Sequence, residues 1–330
     1  MDRRGFIKVG AALLGTAALS VLAADSAEAL DGRRAVATLV DLSKCDGCRD
    51  RDVPLCVEAC RTENAGRFPE PVKPIPEVFP TRKEVDWSDR RDVIDRLIPY
   101  NWIFVQRVKV KGREIFIPRR CMHCDDPPCA NLCPWGVNKK MPEGPVVINT
   151  RTCLGGAKCK SVCPWHIPQR QSGVGLYLKL LPNFIGNGVM YKCDLCYHRF
   201  KEGRPPACVE ACPHRAMVFG PRAEIIALAE ERRREIGGYL YGLEENGGTS
   251  TIYVSEVPFE EIDRHIRPRD GYPPMGRVKP FFQRFTRAAG YLAAVPAASA
   301  ALALGMVLSK RRRTKDEGGP QGGEGCPTNG

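Results

Sequence analysis

Cysteine spacing constrains this chain more than any other feature of its sequence. Fifteen of its 16 cysteines fall into four groups, and every group ends in two cysteines separated by three residues. Proline follows the last cysteine in three groups, whereas Arg61 follows it in the first. The groups are Cys45, Cys48, Cys56 and Cys60; Cys121, Cys124, Cys129 and Cys133; Cys153, Cys159 and Cys163; and Cys193, Cys196, Cys208 and Cys212. The repeat indicates that the chain turns around bound groups at four places.

The third group lacks one cysteine. The second and third groups are near-copies, because both end in C-x3-C-P-W and only a short segment containing Val146, Val147 and Ile148 lies between them. Gly156 stands where the repeat requires the second cysteine of the third group. This glycine is therefore the missing-ligand position of the pattern.

The spacing predicts iron–sulfur clusters. In a bacterial-type ferredoxin run, three cysteines hold one cluster and the fourth, which precedes proline, binds the neighbouring cluster. A C-x2-C turn wraps one face of a cluster, and the last cysteine lies about one helical turn further along. Two alternatives stay open. Zinc also uses C-x2-C pairs, although two such pairs already close its site. A disulfide framework is common in exported chains, although it does not need this arrangement four times.

The cysteine groups pair by likeness. Groups two and three share the C-P-W ending, and groups one and four share C-V-E-A-C. Exchange of the last cysteine within each pair predicts four ligand sets, which we name sets A to D. Set A is Cys45, Cys48, Cys56 and Cys212; set B is Cys193, Cys196, Cys208 and Cys60; set C is Cys121, Cys124, Cys129 and Cys163; and set D is Cys133, Cys153 and Cys159. Set D therefore has only three cysteines.

The predicted fold class is α+β, with two nested bacterial-ferredoxin-like units, inserted loops and one C-terminal transmembrane helix. The outer unit covers residues 30–115 and 170–220, and the inner unit covers 116–169. Residues 221–287 form a C-terminal extension and linker, because prolines between Pro258 and Arg287 argue against compact packing.

Local patterns predict the main elements around the cysteines. They give strands at Ala35–Leu42, Ala216–Phe219 and Ser250–Val257, a helix at Val53–Thr62, an extended insertion at Phe68–Pro80 and a hairpin with arms Trp102–Val110 and Glu114–Pro118. A further helix begins at Pro221, with Ile225, Ile226, Leu228 and Ala229 on its apolar side and a solvated end at Arg232, Arg233 and Arg234.

The N-terminus predicts export. Residues 1–29 contain the pair Arg3 and Arg4, a weakly hydrophobic run and the small-residue site Ala27-Glu28-Ala29, which is typical of a twin-arginine signal peptide. A membrane anchor is the alternative, but the apolar run is short for a span of about 20 residues. Because twin-arginine substrates are exported folded, this route suits a protein that receives its clusters in the cytoplasm.

The C-terminus predicts a membrane anchor. Residues 288–308 carry no charge, and a basic run from Lys310 to Arg313 follows directly. The length fits one transmembrane helix, and the positive-inside bias keeps the 309–330 tail in the cytoplasm. The alternative is an alanine-rich soluble helix that Pro296 would kink. The two termini together predict a body at the periplasmic face of the cytoplasmic membrane.

Charge excludes nucleic acid as a partner. The formal net charge is +12, which alone would suggest an anionic partner. Each cuboidal cluster with its thiolates carries about −2, so four clusters offset most of this surplus.

Residues beside the cysteines are expected to support the clusters without ligating them. His123, His166, His198 and His214 lie next to cysteines or C-P turns and are predicted to pack or to contact the ligands. Trp135 and Trp165 are predicted to pack over clusters. The chain has no nucleophile set, flavin or nucleotide fingerprint or C-x-x-C-H motif, so no catalytic residue is predicted. A non-catalytic electron relay is the leading hypothesis, and an iron–sulfur subunit that itself completes a substrate-reducing site is the alternative.

With these motifs, the chain resembles the four-cluster ferredoxin-like electron-transfer subunits of bacterial respiratory complexes, and most of all the exported, membrane-anchored HybA/HmcB type. The resemblance covers about residues 35–260 and both ends. It implies electron transfer between a hydrogenase, molybdoenzyme or multihaem cytochrome c subunit and an NrfD-like quinone-reactive membrane subunit.

The resemblance also gives Gly156 a meaning. Related nitrate reductase subunits that lack a cysteine at a comparable place hold a three-iron cluster. It therefore implies three 4Fe-4S clusters and one 3Fe-4S cluster on Cys133, Cys153 and Cys159. A four-iron cluster completed by water or another ligand, and loss of this cluster, are the alternatives.

Overall fold

The computed structural model describes residues 35–79, 82–180 and 186–282. The signal peptide predicted for 1–29, the transmembrane helix predicted for 288–308, the tail and Cys326 lie outside these ranges. No helix within the described ranges is long and apolar enough to span a membrane.

The described residues mix strands and helices, as the predicted α+β class requires. The strands are β1 (Val36–Asp41), β2 (Phe104–Val110), β3 (Arg113–Arg119), β4 (Asn138–Lys140), β5 (Val146–Ile148), β6 (Gln169–Gln171), β7 (Val189–Tyr191), β8 (Met217–Pro221), β9 (Tyr239–Tyr241) and β10 (Thr251–Ser255). The α-helices are α1 (Leu55–Asn64), α2 (Pro128–Asn131), α3 (Lys158–Ser161), α4 (Tyr177–Leu180), α5 (Tyr197–Lys201), α6 (Ala207–Glu210), α7 (Arg222–Glu235) and α8 (Phe259–Arg264). Short 3-10 helices cover Ala65–Arg67, Ser88–Arg90 and Glu245–Gly247.

One four-stranded sheet joins the two ends of the cysteine-bearing region. Its strand order is β8-β1-β10-β9. Strand β1 precedes the first cysteine group, and it pairs antiparallel with β8, which follows the last group, so that Thr38 lies opposite Phe219. On its other side β1 pairs parallel with β10, where Thr38 lies opposite Thr251. The three strands predicted from sequence are thus confirmed, and the structure places them side by side in a single sheet.

Helix α7 covers one face of this sheet. Ile225 and Ala229, one turn apart, are buried against Leu39, Ile252 and Val254 from the two central strands. Leu228 was predicted on the same face but is 36% exposed, because it lies at the flank of the face that Ile225 and Ala229 define.

Truncation of Ile225 will therefore destabilise the protein more than truncation of Leu228. Ile225→Ala leaves a cavity between helix and sheet and is expected to lower the free energy of unfolding by about 2–5 kcal/mol. Leu228→Ala, on the same helix, is the matched control and should change it by less than about 0.5 kcal/mol. Anaerobic chemical denaturation followed by far-UV circular dichroism measures both. Equal losses would contradict this packing.

The end of helix α7 is less solvated than the sequence predicted. Arg232 donates from Nε to Asp41 Oδ2 at 2.7 Å, and the Asp41 carboxylate at the end of β1 is almost fully buried. Arg233 stays on the surface and pairs with Glu230. Arg232 therefore fastens the helix to the sheet, since its loss would leave a buried carboxylate without its main partner.

The remaining strands form two-stranded ribbons. The predicted hairpin is confirmed: β2 and β3 pair from Phe104 opposite Arg119 to Val110 opposite Arg113. Lys111 and Gly112 both have positive φ, which suits the tight turn of a two-residue hairpin. The other ribbons pair β4 with β5 and β6 with β7.

The segment after residue 258 is not an unpacked linker in its first part. Phe259–Arg264 is helical, and Ile262 and Met275 are fully buried. Arg119 Nη2 donates to the carbonyls of Pro273 and Pro274 at 2.9 and 2.7 Å. The prolines interrupt helix and strand but leave carbonyls free to accept hydrogen bonds, so they do not prevent packing. The compact body extends to Lys279.

Candidate iron–sulfur sites

All fifteen grouped cysteines lie within the described residues, and all are free thiols. The disulfide alternative is therefore wrong for this part of the chain. Eleven of the thiols are buried, and the half-buried ones are Cys45, Cys48, Cys133 and Cys212. Among the described residues, no group of three or more Cys, His, Asp or Glu side chains is arranged to hold a single metal ion.

The four groups share one backbone turn. The residue before the second position of the repeat has positive φ in every group: Gly47 (73°), His123 (50°), Gly155 (66°) and Leu195 (61°). In groups three and four this turn aims a backbone N–H at the first cysteine, since Gly155 N lies 3.5 Å from Cys153 Sγ and Leu195 N lies 3.3 Å from Cys193 Sγ. Gly156 thus occupies the structural place of the second cysteine.

Short helices position the later cysteines of each group. Cys129, Cys159 and Cys208 lie on α2, α3 and α6, and the last cysteine of each of these groups follows just beyond the helix end. Cys56 and Cys60 both lie on α1. About one turn of helix therefore separates the third cysteine from the last.

Thiols from groups one and four meet as sets A and B predict. One cavity is lined by Cys45, Cys48, Cys56 and Cys212, together with Pro118 and Met217. Burial, with a contribution from the neighbouring Cys212 thiol, raises the pKa of the Cys45 thiol to about 12. Burial raises the pKa of the Cys60 thiol well above its usual value, and the thiols that add to this are Cys208, Cys193 and Cys196. Cys60 therefore lies among the thiols of group four.

Thiols from groups two and three also meet across the groups. Burial raises the pKa of the Cys124 thiol, and Cys163, Cys121 and Cys129 add to this. Burial raises the pKa of the Cys153 thiol, with a contribution from Cys133. Cys163 thus lies beside group two, and Cys133 lies beside group three. Which thiols share a cluster stays a prediction.

The sets follow one another in the order A, B, C, D. Cys56 of set A has Cys208 of set B as a thiol neighbour. Cys193 of set B has Cys121 of set C as a neighbour, and Cys159 of set D has Cys129 of set C. Sets B and C are buried throughout, whereas set A contains three half-buried thiols and set D contains one, Cys133. The order therefore begins and ends at the surface, where Gly156 is exposed beside set D.

Comparison with known proteins explains this arrangement. Two family models, both described as a 4Fe-4S dicluster domain, match residues 44–137 and 113–222. Together these matches include every one of the four cysteine groups, and they favour iron–sulfur clusters over zinc.

Relatives point to the same class. A protein of Nitratidesulfovibrio vulgaris (strain Hildenborough) is 31% identical over 273 residues, which cover 78% of this chain and 65% of that protein. The hydrogenase-2 operon protein HybA of Escherichia coli O157:H7 is 29% identical over 310 residues, 80% of this chain and 83% of HybA. The iron–sulfur subunit of the nitrate-inducible formate dehydrogenase of Escherichia coli K12 is 27% identical over 261 residues, 73% of this chain and 74% of that subunit. This chain belongs to the ferredoxin-like electron-transfer subunits of respiratory complexes. Within them it is HybA-like.

Two buried cations lie beside the thiols of this HybA-like subunit, and their charge suits a negatively charged cluster bound by those thiols. Arg120 is almost fully buried, and apart from the Cys193 thiol its Nε, Nη1 and Nη2 atoms have no hydrogen-bond partner among the described residues. Burial lowers the pKa of Lys192, but the neighbouring cysteine side chains Cys121, Cys129 and Cys193 outweigh burial and raise it. Buried donors are normally satisfied, so acceptors such as the sulfur atoms of a cluster suit this space.

Sequence reasoning did not identify Arg120 and Lys192 as site residues. A signal for them exists, because a basic residue directly precedes the first cysteine in three of the four groups: Lys44, Arg120 and Lys192. Lys44 remains exposed. The two buried members lie beside sets B and C, which are the buried sets.

His123 contacts a cysteine of another group. Its ring is fully buried, and Nδ1 accepts a hydrogen bond from Val146 N–H at 3.0 Å. The proton of the neutral ring is therefore on Nε2, which lies 3.7 Å from Cys193 Sγ. His123 follows Cys121 of set C and donates to a thiol of set B, so it has the supporting role that was expected.

Three other histidines lie at the surface or bridge elements. His198 Nε2 lies 2.7 Å from Glu63, and His214 Nε2 lies 3.1 Å from Asp46, so each joins group four to group one. His166 is exposed.

The two tryptophans of the C-P-W repeats differ. Trp165 is buried and donates from Nε1 to the Tyr241 hydroxyl at 2.8 Å, whereas Trp135 is 53% exposed. Protein therefore covers Trp165 but not Trp135, and the packing of Trp135 over a cluster stays a prediction. Strand β9 of the C-terminal extension supplies the cover for Trp165.

Proposed function

We propose that this chain relays electrons through three 4Fe-4S clusters and one 3Fe-4S cluster. The observation that carries the proposal is the succession of sets A, B, C and D, with buried thiols in the middle and half-buried thiols at both ends. A relay needs exposed ends to exchange electrons with partners and a buried middle to keep water out. When bound, iron–sulfur clusters supply single-electron reduction and oxidation.

The fifteen thiols are the proposed ligands, assigned as sets A to D. The protein must deprotonate these thiols to bind metal, and burial makes this costly because it raises the pKa of most of them. Arg120 and Lys192 offset part of that cost beside sets B and C. Set D is proposed to hold the three-iron centre, because Gly156 replaces a ligand at the matching turn.

The proposed partners are a periplasmic hydrogenase, molybdoenzyme or multihaem cytochrome c subunit at one end and an NrfD-like quinone-reactive membrane subunit at the other. HybA is named for a hydrogenase operon and another relative is a formate dehydrogenase subunit, which supports the first class of partner. We propose no catalytic residue in this chain and no contact with nucleic acid.

The proposed location is the periplasmic face of the cytoplasmic membrane, reached by the twin-arginine route and held by a C-terminal anchor. Asn246 N–H donates to the carbonyl of Val278 at 2.9 Å, and Asn246 also hydrogen-bonds the Cys124 thiol. The compact body therefore ends near set C.

Purification of the full chain from native membranes, in detergent and without oxygen, tests the proposal. Expected results are iron and acid-labile sulfide for four clusters, low-temperature EPR signals from both cluster types, and co-purification of a redox subunit and an integral membrane subunit. Bound zinc without acid-labile sulfide would contradict the proposed cofactors. Substrate turnover by the isolated chain would contradict a pure relay and favour an iron–sulfur subunit with its own substrate-reducing site.

A further inference from the structure

Arg120 is a buried cation with no oxygen acceptor beside it in the described part of the chain. It follows strand β3 directly and precedes Cys121, and its side-chain hydrogen-bond partner is the Cys193 thiol. A buried guanidinium is costly unless it is paired. Its neighbour Arg119 is equally buried but donates to the carbonyls of Pro273 and Pro274, although its Nη1 also lacks a partner.

The thiols next to Arg120 belong to set B. Arg120 hydrogen-bonds the Cys193 thiol, and Cys208 is the other thiol that acts on it. Both of these thiols are buried. By contrast, the groups that act on Arg119 are Tyr253, Tyr241 and Asp263, none of them a thiol.

We propose that Arg120 raises the reduction potential of the centre held by Cys60, Cys193, Cys196 and Cys208. This inference rests on the proposed function. Reduction adds one negative charge to the site, and a fixed positive charge in a buried place stabilises that charge strongly because little solvent screens it. The guanidinium also offers up to five N–H donors, and hydrogen bonds to the sulfur atoms raise the potential of iron–sulfur sites.

The effect of Arg120 on the potential of set B is important for the relay because of where set B lies. Set B lies between set A, which is partly exposed, and set C, which is buried. Water cannot stabilise the reduced form at set B, so the protein must supply the compensating charge itself. Without Arg120, set B would be harder to reduce, and electrons would enter it from a neighbouring set more slowly.

An EPR-monitored redox titration of the full chain, purified without oxygen in detergent, tests this role. Arg120→Gln is expected to lower the midpoint potential of one 4Fe-4S centre enough to change its oxidised-to-reduced ratio about tenfold at fixed potential, or about 59 mV for one electron. Arg120→Lys keeps the positive charge but loses the planar guanidinium with its five N–H donors. It should therefore shift the potential by a smaller amount in the same direction. The shifted signal should be the one that Cys196→Ser removes.

Arg119→Gln is the matched control, since it removes an adjacent buried guanidinium that has no thiol neighbour among those described. It should leave all midpoint potentials unchanged. An unshifted set B signal in Arg120→Gln with full iron content would overturn the inference. An equal shift in Arg119→Gln would overturn it too, because the effect would then not depend on position.

A second measurement covers the case in which Arg120→Gln does not assemble. In the native sequence labelled with 15N-arginine, pulsed EPR of the reduced protein should detect a 15N coupling at the set B centre, and Arg120→Lys should abolish it. Absence of this coupling in the native sequence would overturn the inference while leaving the proposed relay intact. A native protein without acid-labile sulfide would instead overturn the proposed function and this inference together.

Discussion

Gly156→Cys is expected to add one iron to each chain and to abolish the EPR signal of the oxidised three-iron centre. The new thiol would stand at the second position of a turn that already has the backbone form seen in the other three groups. Because set D would then have four cysteines, a 4Fe-4S cluster becomes the expected product. Iron analysis and EPR of the oxidised protein measure the change, and the other three centres should keep their signals.

The structure has room for this side chain. A Cβ built at Gly156 meets no atom within 4 Å, its φ is not in the left-handed region, and the residue is exposed. Gly155 differs, because its φ is 66° and its Cβ would lie 2.5 Å from the carbonyl oxygen of Gly188. The same substitution one residue earlier therefore meets backbone, which cannot move aside as a side chain could.

Two variants control this experiment. Gly156→Ala adds a Cβ without a ligand and should keep the three-iron signal. Gly155→Cys adds a thiol at a strained, crowded position and should lower the stability of the protein without converting the centre. Survival of the three-iron signal in fully loaded Gly156→Cys would show that set D does not include this position.

The local part of the site was predictable because it depends on short spacings. A C-x2-C turn needs one residue with positive φ, and Gly47, His123, Gly155 and Leu195 supply it in the four groups. The spacing therefore predicts the position of this turn, at Gly155 and Gly156 in the third group, without knowledge of the fold. The β2–β3 hairpin is predictable for the same reason, since its turn is set by Lys111 and Gly112 alone.

The charges around the sites were not predictable in this way. Lysine and arginine are usually exposed, so sequence alone favours solvated side chains at Lys44, Arg120 and Lys192. Only Lys44 fulfils that expectation. Burial of the other two depends on how the groups assemble, and no local pattern encodes that assembly.

The packing of the C-terminal extension was also not predictable from the sequence. Prolines between Pro258 and Arg287 predict an unpacked linker, yet Phe259–Arg264 is helical. Met275 is nonetheless fully buried, because Arg119 binds the preceding carbonyls. The burial of Trp165 also depends on the C-terminal extension, because Trp165 donates a hydrogen bond to Tyr241. Trp135 stands in a nearly identical repeat but is 53% exposed.

Cys133→Ala and Cys163→Ala should have opposite outcomes. Cys133 ends the second group and Cys163 ends the third. If the two groups did not exchange their last cysteines, each of these residues would bind the cluster of its own group. If the last cysteines are exchanged between the two groups, Cys133→Ala leaves set D with two cysteines and abolishes the three-iron signal. Cys163→Ala instead removes a ligand from set C and leaves the three-iron signal in place.

The surroundings of the two thiols favour exchange. Cys133 is a thiol neighbour of Cys153. Burial, with a contribution from Cys129 of group two, raises the pKa of the Cys163 thiol to about 12. EPR of the oxidised protein reports the three-iron centre, and EPR of the reduced protein reports the 4Fe-4S centre of set C. If Cys163→Ala abolished the three-iron signal and Cys133→Ala preserved it, each group would hold its own cluster. The nested assignment of sets C and D would then be wrong, although four cysteine groups could still support a relay.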